Sequence, residues 1–147
     1  MRLSVLPLLI LLAMPVHASD SVEFRSVDIF LDSSEPVAAW QFRLSEKHSM
    51  MTIVGVENGE SEVFSDAPYY DRDAVTNGSA DRIIVADLSL AGEHQLPSGR
   101  VRIATLHIML SGPGKPEFDL HLVTATTWSG DVIDAVISLD SDTGSTP

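Results

Sequence analysis

The side chains best suited to chemistry in this chain are few. Four histidines lie beyond the first eighteen residues, His48, His94, His107 and His121, and one loop gathers Asp66, Asp71, Asp73, Asn77 and Asp81. There is no cysteine, which excludes disulfides, thiolate zinc sites and cysteine nucleophiles. His48 and His94 fall in turns, while His107 and His121 fall on strand-like runs with a parity that points both away from the core. The two could meet only if their strands were neighbours on one face, so they read as surface residues and no metal is assigned to them. The acidic loop has the oxygen content that calcium favours. Its spacing fails the helix–loop–helix calcium pattern, because Val75 stands where a third oxygen ligand belongs and no glycine follows it. A solvated acidic loop is the preferred reading, with calcium in the Asp66–Asp81 loop as the alternative and no cofactor expected.

Catalytic motifs are tested and rejected. The chain contains neither a Gly-x-Ser-x-Gly nucleophile elbow nor a His-Glu-x-x-His pair. Ser111-Gly112-Pro113-Gly114-Lys115 faintly resembles a phosphate loop, but Pro116 takes the place of the required hydroxyl residue and no helix follows, so it reads as a turn. A glycosidase needs two carboxylates facing each other across a cleft. Among 21 acidic residues no motif selects such a pair. The chain is expected not to be an enzyme. Asn77-Gly78-Ser79 fits a glycosylation sequon and equally a turn, and the turn is preferred.

Recognition surfaces are the better prospect. Sugar platforms use exposed aromatic rings, and Tyr69, Tyr70 and Trp128 are the candidates, since Trp40 shares its parity with Phe42 and Leu44 and belongs in the core. Arg82–Leu90 is expected to turn Ile84, Ala86, Leu88 and Leu90 inward, which leaves Ile83 and Val85 outside. Arg100–Leu110 is expected to turn Ala104, Leu106, Ile108 and Leu110 inward, which leaves Val101, Ile103 and Met109 outside. Neighbouring strands that are apolar on both faces suggest a protein-binding surface. A bulge that reverses the parity is the alternative.

The elements that must hold these residues begin after a leader. Arg2, an apolar run over Leu3–Met14 and Val16-His17-Ala18 before Ser19 have the form of a signal peptide over residues 1–18. The run is shorter than the roughly 20 residues needed to span a bilayer. An exported protein, periplasmic or extracellular, is therefore expected, without membrane insertion after cleavage. Without Arg2, eight basic side chains face 21 acidic ones, a net charge of −13 that disfavours nucleic acid and anionic lipid.

From Val22 onward the pattern is period-2. Val27, Ile29 and Leu31 share one face, with a break expected near Arg25-Ser26. Trp40, Phe42 and Leu44 share the next, and a turn at Glu46–Ser49 leads into Met50–Val56 as a long hairpin. Phe118, Leu120, Leu122 and Thr124 alternate, and Val132–Leu139 closes the domain with Ile133 or Ile137 buried. A short run at Glu62–Phe64 precedes the long irregular segment Ser65–Asp81, and residues 140–147 form a flexible polar tail. No amphipathic helix is apparent, and turn signals recur at roughly 8–15-residue spacing. The fold class is all-β, an antiparallel β-sandwich in one domain over residues 22–139.

Val27–Leu31, Val37–Leu44, Ile53–Gly59, Arg82–Ala86, Gly99–Ile108 and Val132–Leu139, in this order, resemble the cohesin family, the dockerin-binding modules of cellulosome scaffolds, within the carbohydrate-binding sandwich superfamily. The resemblance implies a jelly-roll sandwich of about nine strands. It implies a secreted, non-catalytic module that attaches a dockerin-like protein partner in an extracellular polysaccharide-related system. The implied protein-binding face carries Gln41, Ile83, Val85, Asp87, Ile103 and His107. Direct binding of a polysaccharide through Tyr69, Tyr70 and Trp128 is one alternative, and a structural role in an envelope or matrix is another.

Overall fold

The computed structural model describes residues 21–141, so the expected signal peptide over 1–18 and residues 142–147 of the expected tail lie outside the described residues. Seven strands run in order: β1 Val22–Ser33, β2 Ala39–Glu46, β3 Met51–Asn58, β4 Arg82–Leu88, β5 Gly99–Ser111, β6 Phe118–Thr126 and β7 Val136–Ser141. A five-residue helix, α1 (Arg72–Thr76), precedes β4. The strands form two antiparallel sheets, ordered β3-β5-β1-β7 and β4-β2-β6. Two isolated bridges add to them, Tyr69 with Ala86 and Thr126 with Val132. The protein is thus all-β, as expected, with seven named strands among the described residues.

One core lies between the sheets. Val27, Ile29 and Leu31 from β1, Trp40, Phe42 and Leu44 from β2, Ile53 from β3 and Leu106 and Ile108 from β5 are all essentially buried. The Trp40 and Phe42 rings stack with centroids 5.8 Å apart, and Phe64 meets Trp40 edge-on at 6.1 Å. The sheets meet along both borders, β3 beside β4 and β6 beside β7.

Four expectations about elements are corrected. β2 and β3 do not form a hairpin, because the turn after Glu46 carries the chain from one sheet to the other. β1 runs unbroken through Arg25-Ser26, so Val22 and Phe24 simply point outward and are exposed. The register slip falls instead at Ile29/Phe30, where Ile103 is the extra residue on β5. The closing strand begins at Val136 rather than Val132, and Asp140 and Ser141 belong to it rather than to a tail, while the short run Glu62–Phe64 is a 3-10 turn.

The crossover after β2 is held by a buried carboxylate. Oε2 of Glu46 accepts the amides of His48 and Met50, both at 2.9 Å, and Oε1 accepts that of Glu117 at 3.1 Å. Burial alone would raise the pKa of Glu46, but the three N–H donors outweigh it and hold the carboxyl below the usual carboxylate value. A group depressed in this way stabilises the fold above its unfolded pKa and loses that contribution as pH falls through the folded value. Glu46→Gln should therefore cost about 1–3 kcal/mol at pH 7 in urea unfolding. The difference from wild type should shrink toward zero as both are titrated below about pH 4.

Candidate functional site

The outward face of β4-β2-β6 follows from strand parity and register. On β4 the inward residues are Ile83, Val85 and Asp87, so Ile84, Ala86 and Leu88 face out. Cross-strand partners then set the rows. Leu88, Ala39 and Thr126 form one, Ala86, Gln41 and Thr124 the next, Ile84, Arg43 and His121 a third, and Arg82, Ser45 and Asp119 the last. Val123 is the extra residue at the β6 register slip and is itself exposed. Tyr69 continues the second row beyond β4: its amide and carbonyl both pair with Ala86, at 2.8 and 3.0 Å. Paired residues share a face, and the Tyr69 side chain is 70% exposed.

Two of the rows are uncharged, with Gln41 on the middle strand and Leu88 on one flank. Arg43 follows Gln41 on β2 beside Ile84, and Ile84 and Leu88 are each 53% exposed. The charges lie in the other two rows, where Arg43 approaches Asp119 at 3.8 Å. Arg43 and Arg82 also edge an open groove of about 600 Å³ that runs past Ile84 to Asp71, Ser79 and Asp81 on the α1 side. Asp71 is occupied there as the helix cap, accepting the Ala74 amide at 2.9 Å. Asn77 and Gly78 close the helix as a turn, with Gly78 at φ +67°.

The six residues expected on one protein-binding face do not share one. Ile83 and Val85 are core, and so is Ile103, turned inward by the β5 bulge. Two strands expected to be neighbours, β4 and β5, lie in different sheets. Of the six, Gln41 alone remains on the outward face of β4-β2-β6. The expected inward set on β4, Ile84, Ala86, Leu88 and Leu90, is reversed: Ile83 and Val85 face the core and carry Asp87 to a buried position with them.

His107 lies on the outer face of the other sheet. Its Nδ1 meets Ser26 Oγ at 3.1 Å and its Nε2 meets Glu57 Oε1 at 2.8 Å, a serine–histidine–glutamate line across β1, β5 and β3. The ring lies against Gly55, where an added Cβ would come within 3.3 Å. Nearby, Asp28 accepts from Thr105 at 2.5 Å, Arg102 reaches the same hydroxyl at 2.7 Å, and Arg100 stacks 3.5 Å over Phe30. These links cross-brace a polar face. His121 belongs to β6, so the two strand histidines are on different sheets.

The aromatic candidates separate. Tyr69 and Trp128 are exposed, Trp128 at 61%, whereas Tyr70 packs toward the core with the Arg72 guanidinium 5.3 Å over its ring. Among the described residues no three His, Asp or Glu side chains converge as a metal cluster.

Asp87 itself is 8% exposed and directly opposite Trp40 in the register. Its Oδ1 accepts the Leu88 amide at 2.7 Å. Burial is the main cause that raises its pKa; the amide opposes this and the Asp66 carboxylate adds to it. A group raised in this way weighs against the fold once pH exceeds its unfolded value. In EDTA-containing buffer Asp87→Asn should therefore add on the order of 1 kcal/mol of stability at pH 7. Thermal unfolding across a pH series should show that gain vanishing toward about pH 4.

No family model, curated protein or solved structure matches the chain.

Proposed function

We propose that this chain is an exported, non-catalytic, cohesin-like module, a jelly-roll sandwich of about nine strands that takes a dockerin-like protein partner on the outward face of β4-β2-β6. The two isolated bridges are the places where short extra strands fit that plan. The observation that carries the reading is the face itself, with Ile84 and Leu88 exposed beside Gln41 and Tyr69 at its edge. A chain of net charge −12 presents here a patch whose centre holds no acid. Partly apolar patches poor in acid, with aromatic and arginine anchors, are what protein partners bury. Export rests on the pattern of Met1–Ala18.

Recombinant dockerin-type modules titrated calorimetrically against the purified protein test this directly. Binding should weaken at least roughly 30-fold in Leu88→Asp and in Ile84→Asp. Ser138→Asp, on the outer face of the other sheet, should leave it unchanged. Absence of binding to every module tried would remove the cohesin-like assignment. Equal affinity in the face variants would move the site elsewhere.

A second reading, binding of a polysaccharide, is favoured by the exposed rings of Tyr69 and Trp128. Affinity electrophoresis in gels containing single polysaccharides should then show retardation that Trp128→Ala and Tyr69→Ala abolish. Migration unaltered by every glycan refutes it.

A further inference from the structure

A small polar cavity of about 90 Å³ lies beneath the segment that carries Tyr69, bounded by Val63, Ser65, Asp66 and Ala67 on one side and Asp87 on the other. Asp87 is more than nine-tenths covered, and its one hydrogen bond among the described residues is the Leu88 amide at Oδ1. None of the ion pairs among the described residues includes Asp87 or Asp66. A covered carboxylate with a second carboxylate across a polar cavity, and no cationic side chain in the lining, is costly in its charged form, and a bound cation would compensate it where water or protonation otherwise must.

We propose that this cavity is a binding site for a hard divalent cation, calcium, with Asp66 and Asp87 as its anionic ligands. Hard cations take carboxylate, carbonyl and water oxygens, and calcium tolerates irregular geometry where magnesium demands an octahedron. Two carboxylates with carbonyl and water oxygens completing the shell match the weak class of extracellular sites, with dissociation constants around 0.1–1 mM. The site differs from the Asp66–Asp81 loop in its second ligand: Asp87 comes from β4, so the cation would tie the loop to the sheet. Asp71, Asp73 and Asp81 take no part, and Asp71 is already engaged by α1.

The test uses the purified protein freed of metal with EDTA and exchanged into chelator-free buffer. Calcium at 10 mM, about ten or more times the expected dissociation constant, should raise the unfolding midpoint by roughly 4 °C or more. Magnesium at the same concentration should raise it by less than half as much. Asp66→Asn, which changes an exposed side chain and should leave the fold intact, should abolish the calcium shift, as should Asp87→Asn. Asp73→Asn, in the same loop, should keep it. No calcium shift in the wild type would overturn the proposal. So would a shift of equal size in all three variants, which would mark diffuse screening of an acidic protein.

Discussion

The pairing of β5 with β1 on one side and β3 on the other is the constraint from which the rest of the molecule follows. β5 is the longest strand, and it buries four consecutive residues, Ile103 to Thr105 and Leu106. Simple alternation cannot do that. The extra residue at Ile103 lets the strand change parity midway, so Ile103 and Ala104 both turn inward while Arg102 and Thr105 brace the outer face. The same device recurs at Val54 on β3 and Val123 on β6. Each slip bends or twists its strand and re-aims the residues after it. With no cysteine in the chain, register and core packing hold the sheets without covalent help.

Much of this was legible from residue types alone. Trp40, Phe42 and Leu44 read as core, and so do Val27, Ile29, Leu31, Leu106 and Ile108, because period-2 runs of large apolar residues leave one choice of inner face. Bulges are not legible in that way, since an extra residue has no compositional mark. Ile103 reads as outward by alternation and is inward in the fold for that reason. β4 is ambiguous for a different one. Arg82-Ile83-Ile84-Val85-Ala86-Asp87-Leu88 offers two nearly equivalent apolar parities, and the longer alternating run to Leu90 points to the one the fold does not use. The partition of β2 and β3 between sheets was equally hidden, because a four-residue turn fits a hairpin as well as a crossover.

The candidate face illustrates how a one-residue shift changes its chemistry. With Ile83, Val85 and Asp87 outward, the surface would be apolar with a carboxylate at its end. With Ile84, Ala86 and Leu88 outward, the acid is withdrawn and the surface centres on Gln41. Its other flank, threonines and a bulged valine on β6, was not identifiable from sequence, because nothing in Phe118–Thr126 says which strand it joins. The sheet of β1, β3 and β5 contrasts with it. Its outer face is occupied by side chains bonded to one another, and desolvating such a network would cost more than covering Ile84 and Leu88.

Tyr69 reaches the face only because its backbone borrows an edge of β4, and that loan has a thermodynamic corollary. Three residues upstream, the same short segment contributes the Asp66 wall of the acidic cavity, while Ala86 and Asp87 lie at adjacent positions on one strand beside the two. Whatever steadies one end of this segment lowers the entropy still to be lost at the other. Under the two proposals, a cation in the hollow and a partner on the outer surface would order the same segment, and linkage would make any tightening of one by the other reciprocal.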